Sequence, residues 1–152
     1  MTFRLNRLAV ALVATLGVTA AFAAGTADDL INARQAEMKV NGKALQGLVD
    51  ILRGVTPYDA AVVKTNLDAL AASQKAQADG KLWDASSQTG ATVETRALPA
   101  IWQNADGFAK AQQGLTDAIA AVGASTDMAS FKAAFTAIGA ACKSCHEQFR
   151  GG

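Results

Sequence analysis

Apolar residues recur at steps of three and four through most of the chain beyond residue 24, the spacing that lays one side of an α-helix against a core. Four helices are predicted. The first runs from about Asp28 to Arg53, with Leu30, Arg34, Met38, Leu45, Leu48 and Leu52 facing inward and Asn41 between them. Gly54 breaks it. Thr56 is read as the next N-cap and Pro57 as a first helical residue, where a missing N–H costs nothing. The second helix continues to Ala78 with Val62, Val63, Leu67 and Leu70 inward, and Asp79-Gly80 ends it. Lys81 to Leu98 forms a long connection. A third helix spans about Pro99 to Val122, carrying Ile101, Trp102, Phe108, Leu115, Ile119 and Val122, and Gly123 closes it. The fourth begins at a cap on Ser125 or Thr126 and presents Met128, Phe131, Phe135, Ile138, Cys142 and Phe149. No alternating strand pattern interrupts this series. The expected architecture is all-α, an antiparallel four-helix bundle in one domain.

The first two dozen residues have a different plan. Arg4 and Arg7 precede an almost unbroken apolar run from Leu8 to Ala20, and Ala21-Phe22-Ala23 supplies an A-x-A pattern. Residues 1–23 are therefore read as a secretory signal peptide and residues 24–152 as the bundle; the alternative is a retained N-terminal anchor. Export places the mature chain in the periplasm, free of the membrane after processing. Removing the leader lowers the basic count from 14 to 12 against 13 acids, a formal charge near −1. Neither this balance nor any basic cluster makes an electrostatic case for nucleic acid.

The chemistry is concentrated near the C-terminus. The chain has two cysteines and one histidine, and all three fall within Cys142-Lys143-Ser144-Cys145-His146. On a helix these positions share one face. C-x-x-C-H is the attachment pattern of c-type haem: each thiol adds across a vinyl group to form a thioether, and the adjacent imidazole ligates the iron. Three other readings compete. A redox C-x-x-C wants a strand–helix context, a structural zinc site wants four ligands, and a short disulfide leaves His146 without a role.

A single haem at the end of the fourth helix of a bundle resembles the cytochrome c′ family, itself a standard example of that architecture. The resemblance spans essentially the whole mature chain. It is carried by Arg34-Gln35-Ala36-Glu37-Met38-Lys39, by Pro57-Tyr58-Asp59, by Leu98-Pro99-Ala100-Ile101-Trp102, and by the haem motif with Arg150. It implies one covalent haem c, with Cys142 and Cys145 as thioether donors and His146 as axial iron ligand. Arg150 would lie beside His146, Arg34 and Gln35 at the haem edge and its propionates, and Glu94, Thr95 and Arg96 in the loop that adds further contacts. From the residues alone, Arg34 reads instead as a surface arginine paired with Glu37 or Asp29. Trp83 is placed near the haem and Trp102 in the core.

The resemblance places Met38 opposite His146. The function it implies is electron transfer, binding of small gases such as NO or CO at a five-coordinate haem iron, or both; the alternative is a six-coordinate electron carrier with Met38 as sixth ligand. A methionine on an inward helical stripe is in general core rather than ligand. The partners are then a redox protein or a small gas. A peroxidase-like enzyme is disfavoured, because no second histidine is present to act as acid or base. Gly42 either lets the first helix approach the haem or is a helix-packing glycine. A homodimer through the first two helices would draw on Val40, Leu48 or Val63 outside the stripe.

Overall fold

Each long helix begins where a polar side chain captures an otherwise unpaired backbone N–H. In the computed structural model, which describes residues 26–152, Thr26 and Asp29 form a capping box at the start of α1, Ala27–Leu52. The proposed signal peptide lies outside the described residues. Helix α1 ends at a left-handed Gly54, φ +73°, which turns the chain so that Val55 N and Thr56 N both donate to Asp50 O.

Helix α2, Ala60–Ala78, starts later than the sequence predicts. Its cap is Asp59 rather than Thr56. The Asp59 carboxylate accepts from Ala61 N at 2.7 Å and Val62 N at 3.2 Å. Pro57 stays in the turn.

The third predicted helix is divided in two. A short α3, Ala100–Gln103, is followed by α4, Ala105–Gly123, with Asn104 at the joint in a non-helical conformation. Asn104 Oδ1 accepts from Gly107 N, so an N-cap motif in mid-segment resets the helix. Helix α5, Met128–Phe149, is capped by Asp127, not by Ser125 or Thr126, and Ser130 completes its capping box.

α1 packs on α2, α2 on α4, and α4 on α5, giving the expected four-helix bundle with α3 as an added turn. Antiparallel order brings the C-terminal half of α1, the N-terminal half of α2, the end of α4 and the start of α5 to one end. There Leu48, Ile51, Val63, Val122 and Phe131 are closed off from water, with the Phe131 ring packed at a tilt against Tyr58 and Phe135, centroids 5.9 and 5.7 Å away. A smaller cluster of Ile101, Phe108 and Phe149, joined by Trp83 and Trp102, occupies the other end. Trp102 packs there as expected and donates its indole N–H to Trp83 O at 2.7 Å.

Several inward assignments move by one position. Ile31 is fully buried while Leu30 is only half so, and Val62 is 38% exposed where Val63 is buried. Leu48 and Val63 are core residues and cannot supply a dimer patch; of the three residues expected to, only Val40 is exposed.

Candidate haem site

Between the two cores the bundle forms a half-open cavity of about 930 Å³, near the upper end of the roughly 300–1,000 Å³ usual for small-molecule sites. It lies where the N-terminal half of α1, the C-terminal half of α2, the first turns of α4 and the end of α5 face one another. Arg34, Gln35, Met38, Glu94, Thr95, Cys142, Cys145, His146 and Arg150 all line it. The candidate residues predicted from the sequence are thus brought together.

The α5 wall follows directly from helical spacing. Phe131, Phe135 and Ile138 form the buried stripe, and Cys142, Cys145 and Phe149 continue it toward the C-terminus. The stripe runs out of core at Cys142 and enters the cavity. Both thiols are free and half-buried, and burial pushes both upward from the ordinary cysteine range. His146 is held below its usual value, first by burial and then by the Arg150 charge, which favours the neutral imidazole that can ligate a metal.

The long connection is ordered by three separate anchors. Its first part forms two 3-10 turns, Lys81–Trp83 and Ala85–Ser87. Arg34, 4% exposed, reaches over from α1 and donates to Leu82 O at 2.7 Å, Ser87 Oγ at 2.6 Å and Ser87 O at 2.8 Å. Its guanidinium also lies 4.8 Å from the centre of the Trp83 ring. The expected surface pairing with Glu37 or Asp29 does not form. No carboxylate of the described residues pairs with this buried cation.

At the second anchor, the Asp28 carboxylate accepts from Ala91 N, Thr92 N, Thr92 Oγ1 and Val93 N. The third pins the strand-like end of the loop to the chain leaving α5. Leu98 N donates to Phe149 O and Gly151 N to Arg96 O, and Ala97 bridges to Arg150. Glu94, Thr95 and Arg96 are thereby set at the cavity, and Gln35 Nε2 donates to Glu94 O at 2.8 Å.

The sequence reading did not find the polar side of the cavity. Gln74, Gln77 and Gln112 line it, tied by Gln74 Nε2 to Gln112 O and Gln112 Nε2 to Gln77 O; Trp83, near the site as expected, donates to Gln77 O. Glutamines within an alanine-rich helix carry no distinguishing local signal. Gly42 also lines the cavity, and a Cβ built there would meet nothing within 4 Å. Helix packing therefore does not account for it.

The donor set fits a covalent haem. Two thiols and one imidazole stand on a single wall of a large, mainly apolar cavity, with charged groups at its rim. The competing readings lack their context: no strand adjoins the cysteines, and no metal-holding group of three or more His, Cys, Asp or Glu occurs among the described residues. A helical bundle with such a wall defines a c-type haem protein.

Residues 29–150 match the family described as Cytochrome C'. The chain is 36% identical over 148 residues to cytochrome c′ of Rhodopseudomonas palustris, covering 95% of this chain and 97% of that protein. It is also 36% identical over 126 residues to cytochrome c-554 of Cereibacter sphaeroides, covering 80% of each. Among solved structures, the nitric oxide complex of a mutant cytochrome c′ from Alcaligenes xylosoxidans superposes with a TM-score of 0.73 at 27% identity, over 84% of this chain and 98% of that one. The chain belongs to the cytochrome c′ family, haem proteins of electron transfer and gas binding, and its cofactor is one covalent haem c.

Proposed function

We propose that this chain is a periplasmic monohaem electron carrier in which His146 ligates the iron from α5 and Met38 ligates it from α1. Residues 1–23 direct export and are removed. Cys142 and Cys145 form the thioethers. The haem supplies an iron that cycles between the ferric and ferrous states, and the residues around it fix its ligands and exclude water. Arg34, uncompensated by any carboxylate of the described residues, leaves its charge for the haem carboxylates; Gln35, Glu94, Thr95 and Arg150 complete the rim. No acid–base catalyst is assigned, since the chain's one histidine is committed to the iron.

The observation that carries this reading is the position of Met38. It lines the same cavity as His146 but from a different helix, and it is 41% exposed and outside both core clusters. A thioether in that place raises the reduction potential and fills the coordination sphere, which suits outer-sphere electron transfer.

A second reading is favoured by the nitric oxide complex of the related cytochrome c′. In it Met38 plugs the cavity without bonding, the iron stays five-coordinate, and NO or CO binds in place of the plug. The optical spectrum of the purified ferric and ferrous protein separates the two. A low-spin spectrum with a methionine–iron band toward the red, unchanged by CO, supports the carrier; a high-spin spectrum that shifts with CO supports the gas binder.

A further inference from the structure

Asn41 follows Met38 by three residues on α1, so both fall on the face that lines the cavity. Its Nδ2 lies 4.0 Å from Met38 Sδ, at the outer reach of an N–H···S contact. Its Oδ1 is buried and has no hydrogen-bond partner, a condition shared among the described residues only with Ser125 Oγ, in the turn before α5. A buried acceptor without a donor costs stability. The surrounding wall includes Leu45, Leu70 and Ile138, so a leucine at position 41 would suit the packing better. Nothing in the fold requires an amide there: Asn41 caps no helix and holds no loop.

We propose that Asn41 is a positioning residue for the Met38 thioether. The amide N–H contacts the sulfur from its own helix, restricts the rotation of a three-bond side chain, and leaves a sulfur lone pair directed at the metal. Donation to the sulfur also draws electron density from it, which favours the ferrous state. This inference rests on the reading of Met38 as iron ligand.

The test compares the wild-type holoprotein with Asn41→Leu. Two properties are measured: the methionine–iron band of the ferric form and the reduction potential; CO is added to the wild type to test the ligation itself. The urea midpoint reports on the fold. The substitution is expected to shift the band and to lower the potential by the equivalent of about a threefold to tenfold change in the redox equilibrium constant, that of one modest hydrogen bond. The urea midpoint should hold or rise, because the orphaned oxygen is gone. Asn41→Ala removes the same donor without bulk and gives the same result should leucine overfill the wall. A band present in the wild type and unmoved in both variants, with the potential unchanged, overturns the role of Asn41 and leaves Met38 as ligand. A wild-type protein that lacks the band and binds CO freely overturns both.

Discussion

Arg34 and Ser87 are joined twice inside the protein: the guanidinium donates to the serine hydroxyl at 2.6 Å and to its carbonyl at 2.8 Å. Ser87 is fully buried and Arg34 nearly so. An arginine that lines the cavity therefore also fastens the loop that closes it. The planar fork makes this possible, since one flat cation serves three neutral acceptors and still lies against the Trp83 ring.

Arg34→Leu is expected to destabilise the holoprotein by about 2–4 kcal/mol, because Leu82 O and Ser87 are left buried without donors. Arg34→Lys should recover only part of this, as an ammonium keeps the charge but loses the fork. Urea unfolding followed by circular dichroism measures both. Equal stability of Arg34→Leu and wild type would remove the clamp from the account.

The Asp28 anchor predicts an acid dependence. The Thr92 hydroxyl first, with the N–H groups of Val93, Thr92 and Ala91, holds the Asp28 carboxyl below its ordinary value. The folded pKa thus lies under the unfolded one, about 3.9. Its stabilising contribution is fully present above the unfolded value and is lost as pH falls through the folded value. Asp28→Asn should be less stable than wild type at neutral pH and should converge on it in acid. Urea midpoints from pH 7 down to pH 3 would show this; a constant gap across the range would contradict it.

The thioether assignment makes a chemical prediction. Acid–acetone extraction should leave haem on the wild-type chain. Cys142→Ser and Cys145→Ser should each retain one link, and the double substitution should release all of it. Intact-protein mass spectrometry measures the outcome. Extractable haem from the wild type would overturn the assignment.

The four helices and the wall of Cys142, Cys145 and His146 were legible in the sequence because they arise from local periodicity and from one compact motif, whereas Gln35, Met38, Glu94, Thr95 and Arg150 were reached only through the family resemblance. Cys142 and Cys145 continue the stripe of Phe131, Phe135 and Ile138, so helical spacing alone places them beside the core. Boundaries were less legible, because competing caps stand close together. Asp59 outbids Thr56 through two hydrogen bonds, and Asn104 divides a segment whose apolar pattern runs straight through it. The loop's anchors were not legible. Asp28 acts across more than sixty residues of sequence, and buried Ser73, Gln74, Gln77 and Ser87 become meaningful only once their partners are in place. Arg34 was visible as an anomaly on an apolar stripe, but its neutral partners were not.

The central claim is that Met38 and His146 hold the iron between them, and Met38→Ala tests it most directly through the absorption spectrum with and without CO. The account predicts a low-spin, CO-insensitive wild type and a high-spin variant whose ferrous spectrum shifts on adding CO. A wild type already high-spin and CO-responsive, matched by the variant, would contradict it.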